Sequence, residues 1–354
     1  MQNLLILGGC GFVGSNLALY FKERGNNVIV FDNLVRRGGE NNLLEFKNKG
    51  IKFIHGDVRN KEDFNNIPNK IDVILDCAAQ PSAINYKNPI FDITNNTLGT
   101  INTLEYCRQN GCGLIFWSTN KCYTGKICNT PRTETKGARL IWAKDQDNIN
   151  IPGFNLEYGF NEQLSIDGKD HSIYGVSKIM SDLMIQEWSD AYNIPSIINR
   201  NSCLAGPNQW GMAEQGWMAW FAIANRFNFP IKIFGWSGLQ VRDYLFADDF
   251  CKLIEKQING ISKYRGEVFT VGGGKDFNTS ILETVEFLEH NYKEFSKIEF
   301  DNTERRADQK LYISDIRKVS NAFDWSPSID LKIGYEQIFN WITRNEDKIK
   351  EIWS

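Results

Sequence analysis

Tyr174 and Lys178 stand four residues apart in the run Tyr174-Gly175-Val176-Ser177-Lys178. On a helix that spacing puts both side chains on one face, one turn apart. A free tyrosine has a pKa of about 10 and is a poor base near neutrality. A lysine cation one turn away favours the phenolate, which can then take a hydroxyl proton while hydride leaves the same carbon. Tyr-x-x-x-Lys also arises by chance, and alone it reads equally as two exposed residues of a surface helix. The rest of the chain decides between these readings.

The first strand, Leu4-Leu5-Ile6-Leu7, runs straight into Gly8-Gly9-Cys10-Gly11-Phe12-Val13-Gly14, and a helical pattern opens at Ser15. Gly8 suits a sharp strand-to-helix turn, Gly11 leaves the backbone open to a pyrophosphate, and Gly14 allows close helix–strand packing. Phe12 and Val13 lie at the opening of the helix, where free N–H groups and the positive dipole end attract phosphate. A glycine-rich hairpin is the alternative, but an apolar β-run precedes the turn and a helical run over residues 16–24 follows it. The next strand, Asn27-Val28-Ile29-Val30-Phe31, ends at Asp32 and Asn33. A carboxylate there accepts from the adenosine ribose hydroxyls and repels a 2′-phosphate, so NAD is the dinucleotide expected. Arg36 and Arg37 follow; they neutralise a phosphate or sit in a solvated loop, and Arg37 is counted with the cofactor residues. A hydroxyl at the end of the run Leu114-Ile115-Phe116-Trp117-Ser118 would orient the reacting oxygen. Thr119 is preferred to Ser118 for that role, which gives a catalytic set of Thr119, Tyr174 and Lys178.

These residues need a sheet to hold them. Strand-like runs at 51–55, 73–77, 114–118 and 195–200 alternate with helical stretches, the pattern of an α/β, Rossmann-type doubly wound parallel sheet. Residues 1–202 are expected to form the NAD-binding domain, with a return segment near 245–273. Residues 203–354 are expected to form a smaller α/β substrate-binding domain. Residues 124–172 break the rhythm and read as an insertion covering the active site.

Composition excludes several classes. The chain has 354 residues and a formal net charge of −3, so there is no basic field for nucleic acid. No run approaches the ~18 apolar residues of a membrane span, and a core strand begins almost at once, so a cytoplasmic protein without a signal peptide is expected. Eight scattered cysteines without a Cys-x-x-Cys pair, and three histidines, suggest reduced thiols and no metal site.

At this point the chain resembles the extended short-chain dehydrogenase/reductase family that acts on nucleotide sugars. The likeness covers nearly the whole chain and includes His55-Gly56-Asp57-Val58, Cys77-Ala78-Ala79-Gln80, Asn96-Thr97-Leu98-Gly99-Thr100, Gln240-Val241-Arg242-Asp243 and Arg305-Arg306-Ala307-Asp308. The resemblance implies Asp57 and Val58 at the adenine, Ala78, Ala79 and Gln80 under the cofactor, Asn96 at the start of a central helix, and Ser118 and Asn201 beside the cofactor. It implies Arg242 and Arg305 on the substrate diphosphate, with Gln240 beside them, and Asp308 on a ribose. Within the family the likeness runs to the CDP-tyvelose (CDP-paratose) 2-epimerases, through Ser118-Thr119-Asn120-Lys121, Gln215-Gly216-Trp217 and Asp324-Trp325-Ser326-Pro327. Ser82, Asn120, Lys121, Cys203, Gln215, Gly216 and Trp217 complete the implied substrate set. Family dehydratases carry Asp-Glu where this chain has Asn120-Lys121, and decarboxylases carry Glu. Cys203 and Ala205 replace a family asparagine and tyrosine.

The expectation is therefore an NAD-dependent epimerase of a CDP-linked deoxyhexose, working as a homodimer or homotetramer. A 4-epimerase of a UDP- or CDP-sugar and a net oxidoreductase are the alternatives. Thr119, Tyr174 and Lys178 together argue against a non-catalytic NAD-binding regulator.

Overall fold

The computed structural model describes residues 1–68, 70–80, 88–146, 149–211 and 216–353. The chain opens with β1 (Asn3–Leu7), α1 (Phe12–Glu23), β2 (Asn27–Asp32), α2 (Gly39–Asn48), β3 (Lys52–His55) and β4 (Val73–Asp76). Then come α3 (Pro89–Ile93), a π-helical turn over Thr94–Leu98, α4 (Gly99–Asn110) and β5 (Gly113–Thr119). The 124–172 segment holds α5 (Gly125–Cys128) and two small hairpins, β6 (Thr133–Lys136) with β7 (Arg139–Trp142) and β8 (Phe154–Asn155) with β9 (Gly159–Phe160). The long helix α6 (Ile173–Tyr192), β10 (Ser196–Asn201) and β11 (Cys203–Ala205) follow. Beyond them lie α7 (Trp217–Phe227), β12 (Ile231–Phe234), β13 (Val241–Phe246), α8 (Ala247–Gly260) and β14 (Arg265–Val271).

Seven strands form one sheet in the order β14-β10-β5-β4-β1-β2-β3, every pair parallel. Strand order reverses at β1/β4, which places a crevice beyond their C-terminal ends. The strands are apolar throughout because both faces are covered. Leu4, Ile6, Val28, Val30, Ile115 and Trp117 pack toward α1 and α8. Leu5, Leu7, Ile29, Phe31, Leu114 and Phe116 pack toward α4 and α6. A second lobe has its own core, in which α7 contributes Met218, Phe221 and Ile223 beside Ile231, Ile233 and Phe246.

The 124–172 segment does not cover the site, contrary to expectation. It builds a separate apolar cluster of Tyr123, Trp142, Phe160, Leu164 and Tyr312. Of its described residues only Ser172 lines either of the cavities considered below. Its aromatic residues, spread through polar sequence, are what anchor it. Two boundaries also move. Helix α1 begins at Phe12 rather than Ser15. Asn96 lies inside a continuous helical run, on the π turn between α3 and α4, rather than at a helix start.

The sheet and α6 are tied by a buried ion pair. Arg200 on β10 donates from Nε and Nη2 to Asp182 on α6 at 2.9 and 3.1 Å, and Asp182 also accepts from the Ser118 hydroxyl at 3.0 Å. Both charged side chains are almost wholly enclosed. Asp182→Ala leaves a buried guanidinium unpaired and should cost about 3–5 kcal/mol. Urea unfolding would read this directly, and a loss under about 1 kcal/mol would deny the pair its structural role.

Candidate active site

The site begins at the turn after β1. Gly8 has φ +65°, and a Cβ there would stand 2.7 Å from the Ala78 Cα, so strand β4 closes on this turn only because the side chain is absent. A Cβ on Gly14 would meet the Gly8 carbonyl at 2.6 Å, so this glycine packs the helix against the turn itself rather than the strand. Gly11 is the N-cap of α1 and gives the helix no side-chain cap. The first amides of α1 are therefore available to an anion. Gly11, Phe12 and Val13 line a cavity of about 300 Å³ whose far wall carries Thr119, Tyr174 and Lys178.

Three elements bring those last residues together. Thr119 ends β5 in extended backbone. The Ser172 hydroxyl caps α6 by accepting from the Gly175 N–H at 2.9 Å. A Cβ at Gly175 would lie 2.2 Å from the Lys121 carbonyl, so glycine lets α6 start directly against the Thr119–Lys121 turn. Asn96 fixes the helix from the side: its amide donates to Ser177 at 2.8 Å and its Oδ1 accepts from the Gln80 N–H at 2.9 Å.

The electrostatics differ from the simple expectation. Burial raises the Tyr174 phenol against the pull of a hydrogen bond with Thr119, leaving it at about 12. Cys122 and Asp92 also raise it. Lys178 is itself about 2% exposed, and burial lowers its ammonium to about 8 against the pull of Asp76, Cys77 and Asp182. The ammonium lies 4.0 Å from the centroid of the Phe116 ring and has no hydrogen-bond partner among the described residues. Burial likewise raises Asp76 to about 6, while Lys178 pulls it down.

A glycine turn that a Cβ would fill, an uncapped helix N-terminus and a buried ammonium without a hydrogen-bond acceptor fit a dinucleotide. Gly11, Phe12 and Val13 would hold its pyrophosphate, and Lys178 its nicotinamide-side ribose. Asp32, at the end of β2, accepts from the Cys10 N–H at 2.9 Å and the Leu34 N–H at 2.8 Å, which fixes its carboxylate. Asn33 donates to Asp57, which is paired with Arg59 and thereby held down at about 2. Ala79 and Asn201 also line the cavity. Ala78 gives its N–H to Asp76 at 3.1 Å.

Several sequence-derived positions shift role. Arg36, rather than only Arg37, lines the cavity, and burial lowers its guanidinium, whereas the exposed Arg37 donates to the Glu351 carbonyl. Ser118 faces the cavity, but its hydroxyl is committed to Asp182. Val58 packs its side chain against Gly99 in the core. Asn96 and Gln80 act behind the cavity wall. Trp117, Asn208 and Trp210 line the cavity without having been singled out; they come from apolar or loop sequence with no chemical signature.

Cys203, Gly216 and Trp217 line this cavity and also a second one of about 220 Å³. Burial raises the Cys203 thiol, and a hydrogen bond with the Trp217 side chain opposes this. The second cavity carries Lys121, Lys232, Arg242, Arg305 and Arg306, with Gln240 and one carboxylate, Asp308. Asp308 Oδ1 accepts from both Lys121 Nζ and Arg242 Nη2 at 2.8 Å. The two cations hold its carboxyl well below the usual range despite burial. Asp308 thus shares its charge between two cations on the cavity wall. Arg242 pairs with neither Asp243 nor Asp248, the acids nearest in sequence; those are held by Ser202 and Gln337. Arg305 lies 3.8 Å from the centroid of the Phe234 ring. Asn120 lines neither cavity: it is buried, with its amide donating to Gln309 at 3.3 Å. Ser82 and Gln215 lie outside the described residues. Among the described residues no cluster of His, Cys, Asp and Glu is placed to hold a metal, the eight cysteines are free, and no helix is long and apolar enough to cross a membrane.

Fold and site together define a dinucleotide-binding α/β enzyme with a Thr–Tyr–Lys constellation opening onto a cationic pocket. Comparison with known proteins agrees. Residues 4–142 match the NAD dependent epimerase/dehydratase family, and residues 153–338 match the GDP-mannose 4,6 dehydratase family. A CDP-paratose 2-epimerase of Salmonella typhi is 35% identical over 96% of this chain and 99% of that protein. A putative UDP-glucose 4-epimerase of Methanocaldococcus jannaschii is 28% identical over 97% of this chain and 99% of that protein. The solved UDP-glucose 4-epimerase of Thermotoga maritima shares the fold with a TM-score of 0.77 at 23% identity, covering 98% of this chain and 100% of that one. The chain belongs to the NAD-dependent nucleotide-sugar epimerase/dehydratase family of extended short-chain dehydrogenases/reductases, and it is an enzyme with NAD as its cofactor.

The Lys178 geometry yields a pH dependence. Its ammonium donates hydrogen bonds that the neutral amine gives more weakly, and its charge is lost as pH rises through about 8. NAD affinity of the apoprotein, measured by calorimetry, should therefore fall from pH 7 to pH 9. Lys178→Met should bind NAD more weakly and with a flat profile over the same range. A flat wild-type profile would separate Lys178 from the cofactor.

Proposed function

We propose that the enzyme inverts a secondary alcohol of a nucleotide-linked deoxyhexose, with C2 of a CDP-linked sugar (CDP-paratose to CDP-tyvelose type) as the reaction it fits best. The observation that carries this is the junction at Cys203 and Trp217, where the cavity holding Thr119, Tyr174 and Lys178 meets the one holding Arg242. A sugar at that junction has a hydroxyl beside the phenol and its diphosphate among the cations. The 35% identity with a CDP-paratose 2-epimerase supports C2 and cytidine.

NAD, when bound, supplies the acceptor and donor of hydride. The chain's own residues manage the proton and the geometry. Tyr174 Oη takes the proton of the sugar hydroxyl and returns it after the ketone has presented its other face. Thr119 Oγ1 hydrogen-bonds the same oxygen and steadies the phenol. Lys178 contributes charge in a dry site, where it counts for more than in water. Arg242 and Arg305 bind the diphosphate, and forked guanidinium contacts suit its paired oxygens. Cys203 and Trp217 border the sugar, and Cys203 brings a thiol where the family carries an amide.

A 4-epimerase of a UDP- or CDP-sugar is the second reading, supported by the 28% identical putative UDP-glucose 4-epimerase. Water elimination is not favoured. It needs an acid and a base next to the threonine. Asn120 does not titrate and is turned toward Gln309, and Lys121 is paired with Asp308.

Exposed apolar side chains on the α3–α6 surface, Ile90, Leu98, Met180 and Leu183, support assembly with a second copy. Sedimentation velocity of wild type against Leu183→Glu checks this; two monomeric proteins would exclude it.

Purified enzyme should interconvert CDP-paratose and CDP-tyvelose without added cofactor, carry NAD(H) through purification and form no 4-keto-6-deoxy product from nucleotide-glucose substrates. Tyr174→Phe should slow turnover about 10²–10⁴-fold while keeping NAD. Stoichiometric NADH release, a strict need for NADPH, or a near wild-type Tyr174→Phe rate would each refute the reading.

A further inference from the structure

Asp92 is an acid that the mechanism above does not use. It is about 1% exposed, and its Oδ1 has no hydrogen-bond partner among the described residues. It lies on α3, which packs against α6. The alignment of the two helical runs is fixed by their side-chain bonds. Asn96 meets Ser177 at 2.8 Å, Thr100 meets Ser181 at 3.0 Å, and farther on Trp188 meets Glu105 at 3.2 Å. Both chains advance one turn between the first two contacts, so the helices run parallel. One turn before Asn96 is Asp92, and one turn before Ser177 is the Ile173–Tyr174 start of α6. The register therefore sets the turn that carries Asp92 against the first turn of α6, which carries Tyr174.

We propose that Asp92 is a positioning residue for Tyr174: its carboxyl, enclosed opposite the first turn of α6, sets the charge against which the phenol loses and regains its proton. The inference rests on Tyr174 being the proton carrier. Ionised Asp92 opposes the phenolate, and protonated Asp92 does not. Burial raises its carboxyl to about 6, so the switch falls near neutrality, and its charge is one of those felt by Tyr174. Other charged and titratable groups nearby are few. Arg59 lies 5.4 Å from the ring centroid of Phe91, the residue next to Asp92. Cys122 acts on Tyr174 from the turn after β5, and Lys178 follows Tyr174 one turn along α6. An unpaired buried carboxyl is costly to keep, which a purely structural role does not explain.

The test uses NAD-bound protein labelled with [¹³Cζ]tyrosine, with the Tyr174 resonance assigned by its loss in Tyr174→Phe. Between pH 5 and 8 the wild-type resonance should move in one step with a midpoint near 6. The step should vanish in Asp92→Asn and persist in Asp76→Asn, which removes another buried carboxyl raised to about 6. In Asp92→Asn the limb of the pH–rate profile governed by the phenol should move to lower pH by about half a unit or more. No step in wild type, or a step retained in folded Asp92→Asn, overturns the proposal. The resonance is read without substrate, so a wrong substrate assignment leaves this result standing. Should Asp92→Asn fail to fold, the wild-type and Asp76→Asn titrations still decide.

Discussion

Desolvation at Tyr174 and Lys178 is the constraint around which the rest of this enzyme is arranged. Taking both groups out of water disfavours both charged forms, the phenolate and the ammonium. A pair left that way would be a poor acid–base device. The surroundings redress it: Thr119 hydrogen-bonds the phenol, and Asp76 and Asp182 oppose the loss of charge on Lys178. Those partners sit on β4, β5 and α6. The parallel sheet, the Arg200–Asp182 pair and the Asn96 contacts thus serve one end, holding two dehydrated groups where their neighbours can correct them.

The substrate side is organised by a different economy of charge. One carboxylate, Asp308, is shared between Lys121 and Arg242. A partly buried cation cluster without an internal anion would repel itself and destabilise the empty site. Asp308 keeps two of the cations in place while leaving the pocket positive overall. A diphosphate bound as proposed would compete with this carboxylate for the same donors. Asn120, Gln309 and Cys128 form the layer behind, which explains why Asn120 is buried rather than presented to the sugar.

Much of this was legible in the sequence. The glycine turn, Asp32 and the Tyr174/Lys178 pair have local signatures, because backbone geometry at a turn and one-turn helical spacing are short-range properties. The parallel sheet followed from alternation of apolar runs with helices. What escaped depends on long-range contacts. Asp92 is silent in sequence, since its significance comes from the parallel register of α3–α4 with α6. The pairing of Asp308 was not legible because its two cationic partners lie 66 and 187 residues away. The 124–172 segment looked like a lid because its core aromatics are spaced without a period.

The most direct test of the account is the fate of the hydrogen at the inverted carbon. CDP-paratose bearing deuterium at C2, converted by the purified enzyme in ordinary water, should yield CDP-tyvelose with the deuterium still at C2. That result requires the hydride to return to the carbon it left while ketone and reduced cofactor stay bound, with only the hydroxyl proton passing through Tyr174. Loss of the label to water would mean that a base removes the carbon-bound hydrogen as a proton, and would contradict the central role given to Thr119, Tyr174 and Lys178.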